Sequence, residues 1–254
     1  MRHLLATMAT TASLGSLAHA ASIELKATVR DFLDTHPDME RTVGNDRNMV
    51  ETTLGADGNP IYAGGPGGTA TTSGQASFDQ WYTDVLGVNQ SMDIILELQD
   101  NDNDGVFTYS NSSFFPIDNQ LMGNQGRPHN YHFTMELETA FTYQGGETFT
   151  FRGDDDVWVY INNERVIDLG GVHGAQTASV DLDMLGLTAG HDYPFKLFFA
   201  ERHTTQSNFR IDTSMLLQAT NPVPLPSAAA LFLPALLGSA WASRRRSSQS
   251  KGDV

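Results

Sequence analysis

Alternating apolar and polar positions, with many β-branched and aromatic residues, fill the middle of this 254-residue chain. Gly, Asn, Asp or Pro bounds each such stretch, which is the pattern of strands separated by turns. The pattern predicts one all-β domain, a jelly-roll-like antiparallel β-sandwich. The predicted strands cover residues 22–32, 92–98, 131–143, 147–151, 157–161, 165–168, 178–182, 193–200 and 208–217.

Two local features refine this prediction. The segment Asn162-Asn163-Glu164 lies between two predicted strands and favours a hairpin turn. Residues 78–86 are the best candidate for a short helix. On the strand that precedes the hairpin, Trp158 and Tyr160 share one face. Aromatic residues in a strand can stack on sugar rings, but packing in a core is the favoured role here.

The first twenty residues have the features of an export signal. Arg2 is their only charged residue, a run of small and apolar residues follows, and Ala18 and Ala20 stand one residue apart at the end. Small residues at these two places are what signal peptidase accepts. The sequence therefore predicts a signal peptide over residues 1–20, cleaved after Ala20.

The C-terminal tail, residues 221–254, has the features of a membrane anchor. Residues 225–243 contain no charged side chain, and their length is close to the roughly 20 residues that a spanning helix needs. Three basic residues follow directly, which favours a cytoplasmic location for that end. They are Arg244, Arg245 and Arg246. We expect a transmembrane helix over 225–243.

Charge and cysteine content limit the possible functions. The chain has 30 acidic and 15 basic residues, a formal net charge of −15, and both ends are basic, so residues 21–220 are more acidic still. Such a surface repels phosphate backbones and attracts cations, which disfavours a nucleic-acid partner. The chain contains no cysteine. Thiol catalysis, iron–sulfur clusters and cysteine-ligated zinc are therefore excluded.

Three consecutive acidic residues, Asp154, Asp155 and Asp156, are the most informative polar group. Adjacent carboxylates repel one another, so a fold keeps them together if they are solvated or share a cation. Two other interpretations stay open. The side chains could accept hydrogen bonds from backbone amides in a turn, or Arg202 and Arg210 could neutralise them.

A second acidic segment, residues 100–105, begins like the calcium loop of an EF-hand. Its twelfth position is Asn111, where the closing bidentate Glu belongs, and predicted strands flank it. A solvated turn is therefore favoured over a weak cation loop.

Several unusual motifs occur in order along the middle of the chain. Examples are His129-Asn130-Tyr131-His132-Phe133-Thr134, the stretch 151–174 and the stretch 198–214. Together they resemble a fibro-slime domain covering residues 23–218. The tail is similar to a PEP-CTERM sorting signal, the substrate of exosortases. That resemblance is carried by Val223, Pro224, Leu225 and Pro226, followed by the apolar stretch and the three arginines.

Residues 151–167 also resemble the wider protective-antigen-type β-sandwich superfamily, found in adhesins, carbohydrate-binding modules and matrix proteins. In its sugar-binding members two consecutive Asp residues bind calcium, and the metal takes sugar hydroxyls. The resemblance places that pair on Asp154 and Asp155, with Asp156 in place of a common Gly. It implies metal ligands at Asp154, Asp155, Asp156 and Asn208. It implies ligand-binding residues at Asp154, Asp155, His173, Glu201, Arg202 and His203, although His173 in its Gly-rich turn fits a structural role better.

The expected function is therefore that of an exported protein of the cell surface or extracellular matrix. We expect a calcium-assisted carbohydrate-binding or adhesion module, processed by signal peptidase and exosortase and transiently anchored in the inner membrane. A purely structural matrix protein without a specific ligand is the alternative, and a polysaccharide hydrolase is a distant one. No catalytic constellation, such as a G-x-S-x-G motif, stands out.

Overall fold

A computed structural model describes residues 21–219, and these residues are almost entirely strands and turns. The strands are β1 (Ala21–Phe32), β2 (Gly44–Asn45), β3 (Val50–Leu54), β4 (Pro60–Tyr62), β5 (Asn89–Asp100), β6 (Phe107–Asn111), β7 (Phe133–Thr142), β8 (Thr148–Gly153), β9 (Asp156–Ile161), β10 (Glu164–Leu169), β11 (Gly171–Val172), β12 (Gln176–Asp181), β13 (Asp192–Glu201) and β14 (Phe209–Thr213). One α-helical turn, α1 (Gln75–Phe78), and one 3₁₀ turn (Leu182–Leu185) complete the described elements.

A single antiparallel sheet organises the fold. Its twelve strands run in the order β12-β8-β14-β6-β5-β1-β7-β13-β9-β10-β3-β4, and β2 pairs with β11 separately. The longest pairing joins β1 to β5 from Ala21↔Asp100 to Phe32↔Asn89. The prediction of an all-β antiparallel domain is confirmed, whereas a jelly-roll connectivity stays a prediction.

The sheet folds over so that its two halves face each other across an aromatic core. Strands β8 and β13 are distant in strand order, yet the rings of Phe149 and Phe195 lie 5.1 Å apart. Phe199 contacts rings from several segments, including Phe209 at 5.3 Å and Phe114 at 5.9 Å. Burial of these large apolar side chains is the main stabilising contribution to the fold.

Strand β9 is buried on both faces. Val157, Val159 and Ile161 belong to the central core, while Trp158 and Tyr160 belong to a second cluster on the outer face of the sheet. Strand β13 adds Phe198 and Ala200 to this second cluster. The segment between β1 and β5 supplies the other members and forms an outer layer over β9 and β13. These members are Met49, Val50, Leu54, Tyr62, Phe78, Trp81 and Tyr82. The aromatic residues of β9 therefore pack in a core.

The predicted hairpin and the predicted helix have opposite outcomes. Asn162 and Asn163 have φ values of 51° and 68° between β9 and β10, as a two-residue hairpin turn of type I′ requires. The helix over 78–86 is wrong, because α1 ends at Phe78. The Asn89 amide donates hydrogen bonds to the carbonyls of Gln80 and Thr83, which gives this backbone an alternative to helical bonds.

Strand register defines two ends of the domain. Asp31, Phe133 and Glu201 lie level on neighbouring strands at one end, and the turn from β8 to β9 lies at this end too. At the opposite end, Ala21 pairs with Asp100 and Leu217 bridges to Phe141. The two segments that enter and leave the described domain therefore lie at the end away from the β8–β9 turn.

The predicted signal peptide (1–20), its cleavage residues and the sorting tail with its span over 225–243 lie outside the described residues. Within residues 21–219, no helix is long and apolar enough to cross a membrane.

The central core gives a direct test of the fold. Phe199 is fully buried, and Phe199→Ala is expected to lower the free energy of unfolding by about 3–5 kcal/mol, because it leaves a cavity among four rings. Leu86→Ala, at a fully exposed position, should change it by less than about 0.5 kcal/mol. Urea unfolding of the purified proteins measures both, and equal effects would contradict the described core.

Candidate functional site

Two carboxylates lie in the turn between β8 and β9, and backbone groups hold both of them. Asp154 accepts hydrogen bonds from the backbone N of Asn208 at 2.5 Å and from its side-chain Nδ2 at 2.9 Å. Asp155 accepts from the backbone N of His173 and of Arg202, each at 3.0 Å. The peptide bond between the two residues is cis. Three segments that are distant in sequence thus meet at this pair.

The third carboxylate of the triplet has a different role. Asp156 is fully buried, and its Oδ2 lies 2.6 Å from Nε of the equally buried Arg202. Its Oδ1 accepts from the backbone N of Gly171 at 2.5 Å. The expectation that Asp156 binds metal is therefore wrong, because an arginine and an amide already occupy both oxygens. Arg210 does not join this network, since it pairs with Asp212 on the surface.

The Arg202 guanidinium connects the sheet to the outer layer. Its Nη1 donates to the carbonyls of Asp38, at 3.2 Å, and of Thr71, at 2.5 Å. It also lies over the Trp81 ring, 4.7 Å from the centroid, and Trp81 Nε1 donates to Asp38 Oδ2 at 3.0 Å. The Arg202 guanidinium thus has its hydrogen-bond acceptors inside the protein, beneath the surface. The expectation that it contacts a ligand is wrong, because its side chain is inaccessible.

An open pocket of about 250 Å³ lies above the carboxylate pair. Its lining residues come from four segments and are Val43, Asp154, Asp155, Val172, His173, Gly174, His203, Thr205 and Gln206. Val43 is 64% exposed at the rim. The two ring nitrogens of His173 lie 2.9 and 3.0 Å from the carbonyl oxygens of Leu169 and Gly174, so the ring forms part of the pocket wall. A larger hollow near Leu33, of about 380 Å³, contains no carboxylate.

Electrostatics distinguish this pocket from the rest of the surface. Burial raises the pKa of Asp155 to about 8, even though the Arg202 charge acts against the shift. Burial also raises the pKa of Asp154. The pKa of Glu201 is raised well above its ordinary value by burial, and the charges of Asp155 and Asp154 add to the rise. Ionisation of all three acids would bring several negative charges close together. Binding of a proton or a cation is therefore favoured at this place.

Glu201 lies below the pocket and is fully buried. Its Oε1 accepts from the backbone N of His203 at 3.4 Å, and its Oε2 has no hydrogen-bond partner among the described residues. The expectation that Glu201 contacts a ligand directly is therefore wrong. Together with burial, the charges of Asp155 and Asp154 raise the pKa of Glu201, so the pair above it favours the protonated form of this buried acid.

The acidic and histidine side chains do not by themselves form a complete metal site in the described residues. Residues 21–219 contain no group of three or more His, Asp or Glu side chains arranged to hold a metal ion. Among the residues that line the pocket, Asp154 and Asp155 supply the hard carboxylate oxygens, and within the described part of the chain neither forms an ion pair with a cationic side chain. The segment 100–105 lies at the opposite end of the domain. There the Asp100 carboxylate accepts hydrogen bonds from the backbone N of Asp104 and Gly105. Such local bonds are those of a turn stabilised by an Asp side chain.

Sequence reasoning found the polar floor of the pocket and missed much of its wall. Asp154, Asp155, His173 and His203 were expected there, and all four line it. Thr205 and Gln206 belong to the polar loop 204–207, which the resemblance to the protective-antigen-type superfamily placed at the same end as the Asp triplet. The lining residues that were missed are Val43, Val172 and Gly174, and nothing local distinguishes Val43.

Part of the chain matches a known domain family. Residues 117–223 match the PA14 domain. Protein psiR of Dictyostelium discoideum is 45% identical over 197 residues, which are 71% of this chain and 20% of the relative. Protein psiC of the same organism is 41% identical over 215 residues, 78% of this chain and 42% of the relative. The chain thus spans less than half the length of either relative.

Among solved structures, a PA14 sugar-binding domain from an RTX adhesin aligns with 77% of this chain and 91% of its own, at 10% identity and a TM-score of 0.37. The PA14 match corrects the family expectation, because the comparisons support neither a fibro-slime domain nor a PEP-CTERM tail. The exosortase partner and the inner-membrane anchor are likewise unsupported. The motifs that suggested a fibro-slime domain consist mainly of core and turn residues, which indicate a fold more than a particular family.

The buried ion pair beneath the pocket can be tested by mutation. Arg202→Met is expected to lower the free energy of unfolding by about 3–5 kcal/mol, because it leaves Asp156 charged and buried without its partner. Arg210→Met breaks an exposed pair and should cost about 0–1 kcal/mol. Chemical denaturation compares the two variants, and a small effect of Arg202→Met would mean that the Arg202–Asp156 pair does not hold the site together.

Proposed function

We propose that residues 21–220 form a carbohydrate-binding or adhesion domain of an exported protein. The observation that carries the proposal is the open pocket at one end of the sheet, whose floor is formed by the carboxyl groups of Asp154 and Asp155, neither of which forms an ion pair with a side chain of residues 21–219. Hydroxyl-rich ligands suit such a site, since Thr205, Gln206 and His203 offer polar groups around the pair. The match to the PA14 domain supports the same class of function.

Calcium is the cation that we propose for this pocket. Asp154 and Asp155 present hard oxygens, which Ca²⁺ prefers, and the chain has no cysteine to favour a softer metal. Two carboxylates do not complete the six to eight oxygens that Ca²⁺ takes. Backbone carbonyls, water and hydroxyls of a bound sugar would supply the others. When bound, the ion would offset the carboxylate charge and attract sugar oxygens.

Asn208 is the remaining proposed metal ligand. In the structure its Nδ2 donates to Asp154 Oδ2, so the amide must turn to present Oδ1 to an ion. The assignment of the two amide atoms follows from the hydrogen bonds and reverses if a cation replaces them. Asn208 is thus proposed to exchange a bond to Asp154 for a bond to calcium.

The proposed location is outside the cell or on its surface. A glycan partner of an exported module is encountered there, and the predicted signal peptide provides the route. Nothing in the described surface favours nucleic acid, since the domain is strongly acidic.

Glycan binding is the first test. On an array of neutral and acidic glycans, the protein with millimolar Ca²⁺ should bind a subset of spots, and a chelator should abolish the signal. Asp154→Ala and Asp155→Ala should each lose binding at least about tenfold, since a lost charged hydrogen-bonding group is worth about 1.5–3 kcal/mol. Asp104→Ala, at the opposite end of the domain, is the matched control and should bind normally.

The other outcomes separate the alternatives. Binding that survives both pocket variants would place the ligand elsewhere on the domain. Absence of binding to any glycan would favour a structural matrix role. Release of sugars from polysaccharides would indicate a hydrolase.

Calcium binding has its own test in thermal stability. Asp154, Asp155 and Glu201 have raised pKa values in the folded state, so the folded protein holds protons that the unfolded chain has lost. Stability in the absence of metal should therefore fall as pH rises from about 4 towards 8. Calcium should restore it, by about 2.7 kcal/mol at a hundred times Kd, and more at pH 8 than at pH 5.

Differential scanning calorimetry with calcium or chelator measures this effect. Asp155→Ala should remove the calcium response and Asp104→Ala should keep it. Identical melting curves with calcium and chelator at pH 8 would contradict a calcium site.

A further inference from the structure

A buried acidic residue outside the pocket has an unusual environment. Asp31 lies near the end of β1, is fully buried and stands level with Gln90 on β5 and Phe133 on β7. The long connection from β6 to β7, residues 112–132, reaches across it. This connection also contacts the loop 204–207, which lines the candidate pocket, because the backbone N of Phe114 donates to the carbonyl of Ser207 at 2.9 Å.

Asp31 and Asn130 are paired, and each has one oxygen without a partner. Asp31 Oδ2 accepts from the backbone N of Met122 at 2.8 Å and from Asn130 Nδ2 at 2.9 Å. Among the described residues, neither Asp31 Oδ1 nor Asn130 Oδ1 has a hydrogen-bond partner. Both side chains are at least 99% buried. Two buried acceptors therefore lie on two groups that already touch.

One proton on Asp31 satisfies both oxygens. A protonated carboxyl group has one O–H donor, and a carboxamide oxygen is a good acceptor. If Asp31 Oδ1 carries the proton and donates to Asn130 Oδ1, the acid and the amide close a ring with two hydrogen bonds. An ionised Asp31 would leave two buried acceptors without donors, at a cost of about 1–3 kcal/mol for each.

The charged groups around Asp31 are engaged elsewhere. On the same strand, Arg30 pairs with Asp84 and Glu136. In the connecting loop and after β1, other groups form their own pairs, which are Asp118 with His129, Arg127 with Asp34 and His132 with Glu40, and the His36 ring contacts Gln80. Glu201 stands two strands away beyond Phe133. Burial raises the pKa of Asp31 to about 6, against contacts with the Asn130 side chain and with the backbone of Met122 and Phe32 that lower it.

We propose that Asp31 and Asn130 form a proton-dependent latch for the 117–130 loop, closed when Asp31 is a carboxylic acid and weakened when it ionises. Other contacts hold the loop at every pH, because Gln125 bonds the Phe32 carbonyl and the Asp34 amide. Ionisation thus loosens the loop at Met122 and Asn130 without releasing it. The raised pKa means that this stabilisation is present below about pH 4 and is lost as pH rises to about 6.

Hydrogen exchange of the Met122 amide tests the latch. Between pH 4.5 and 7.5, after correction for intrinsic rates, its protection in the wild-type protein should fall about tenfold, the effect of one pKa unit. Asp31→Asn should abolish this pH dependence, because its amide donates to Asn130 at both pH values while its oxygen still accepts from Met122. Asp34→Asn is the matched control, which removes a carboxylate from the same loop contact and should keep the pH dependence.

A second measurement on the wild-type protein is independent of any variant. The side-chain ¹³C resonance of the Asp31 carboxyl should titrate with a midpoint near 6. A midpoint below about 4.5, within one unit of an ordinary Asp, would overturn the latch. So would an Asp31→Asn protein that keeps the pH-dependent protection of Met122 or is less protected than wild type at both pH values.

Discussion

The buried ion pair of Arg202 and Asp156 is the contact on which the candidate site depends. Charges this deep are tolerated only when their remaining donors and acceptors are satisfied. Here Asp156 meets the amide of Gly171, and Arg202 reaches the carbonyls of Asp38 and Thr71 in the outer layer. The same arginine offers its backbone N to Asp155. One residue thus fixes the sheet end, the outer layer and the pocket floor relative to one another.

Three adjacent aspartates show how far local sequence can predict a site. Three adjacent carboxylates repel one another, so the sequence predicted that the fold must stabilise them. Hydrogen bonds from backbone amides and a neutralising arginine were two of the interpretations considered. Asp154 and Asp155 use the first solution and Asp156 the second. Which residue uses which depends on partners between 15 and 54 positions away. That pairing follows from the folded sheet and cannot be read from the triplet alone.

The fold itself was more predictable, for a physical reason. Strands such as β1, β9 and β13 carry apolar residues wherever they meet a core, so periodicity reports them directly. Strands β3 and β6 were missed because most of their residues are not buried, and β4 was missed because its three residues are too few to show a period. The helix over 78–86 failed because Trp81 and Tyr82 are drawn into the outer layer and Asn89 captures nearby carbonyls. Tertiary contacts override local preference in such segments.

The opposed ends of the domain have a mechanical consequence. The pocket lies at one end of the strands, and the segments through which Ala21 and Leu217 connect to the rest of the chain lie at the other. Tension between a bound partner and either connection would run parallel to the strands. Antiparallel ladder bonds lie perpendicular to that direction, so they would be loaded together in shear instead of opening one by one. The twelve-residue pairing of β1 with β5 is then the element that resists a pull on Ala21.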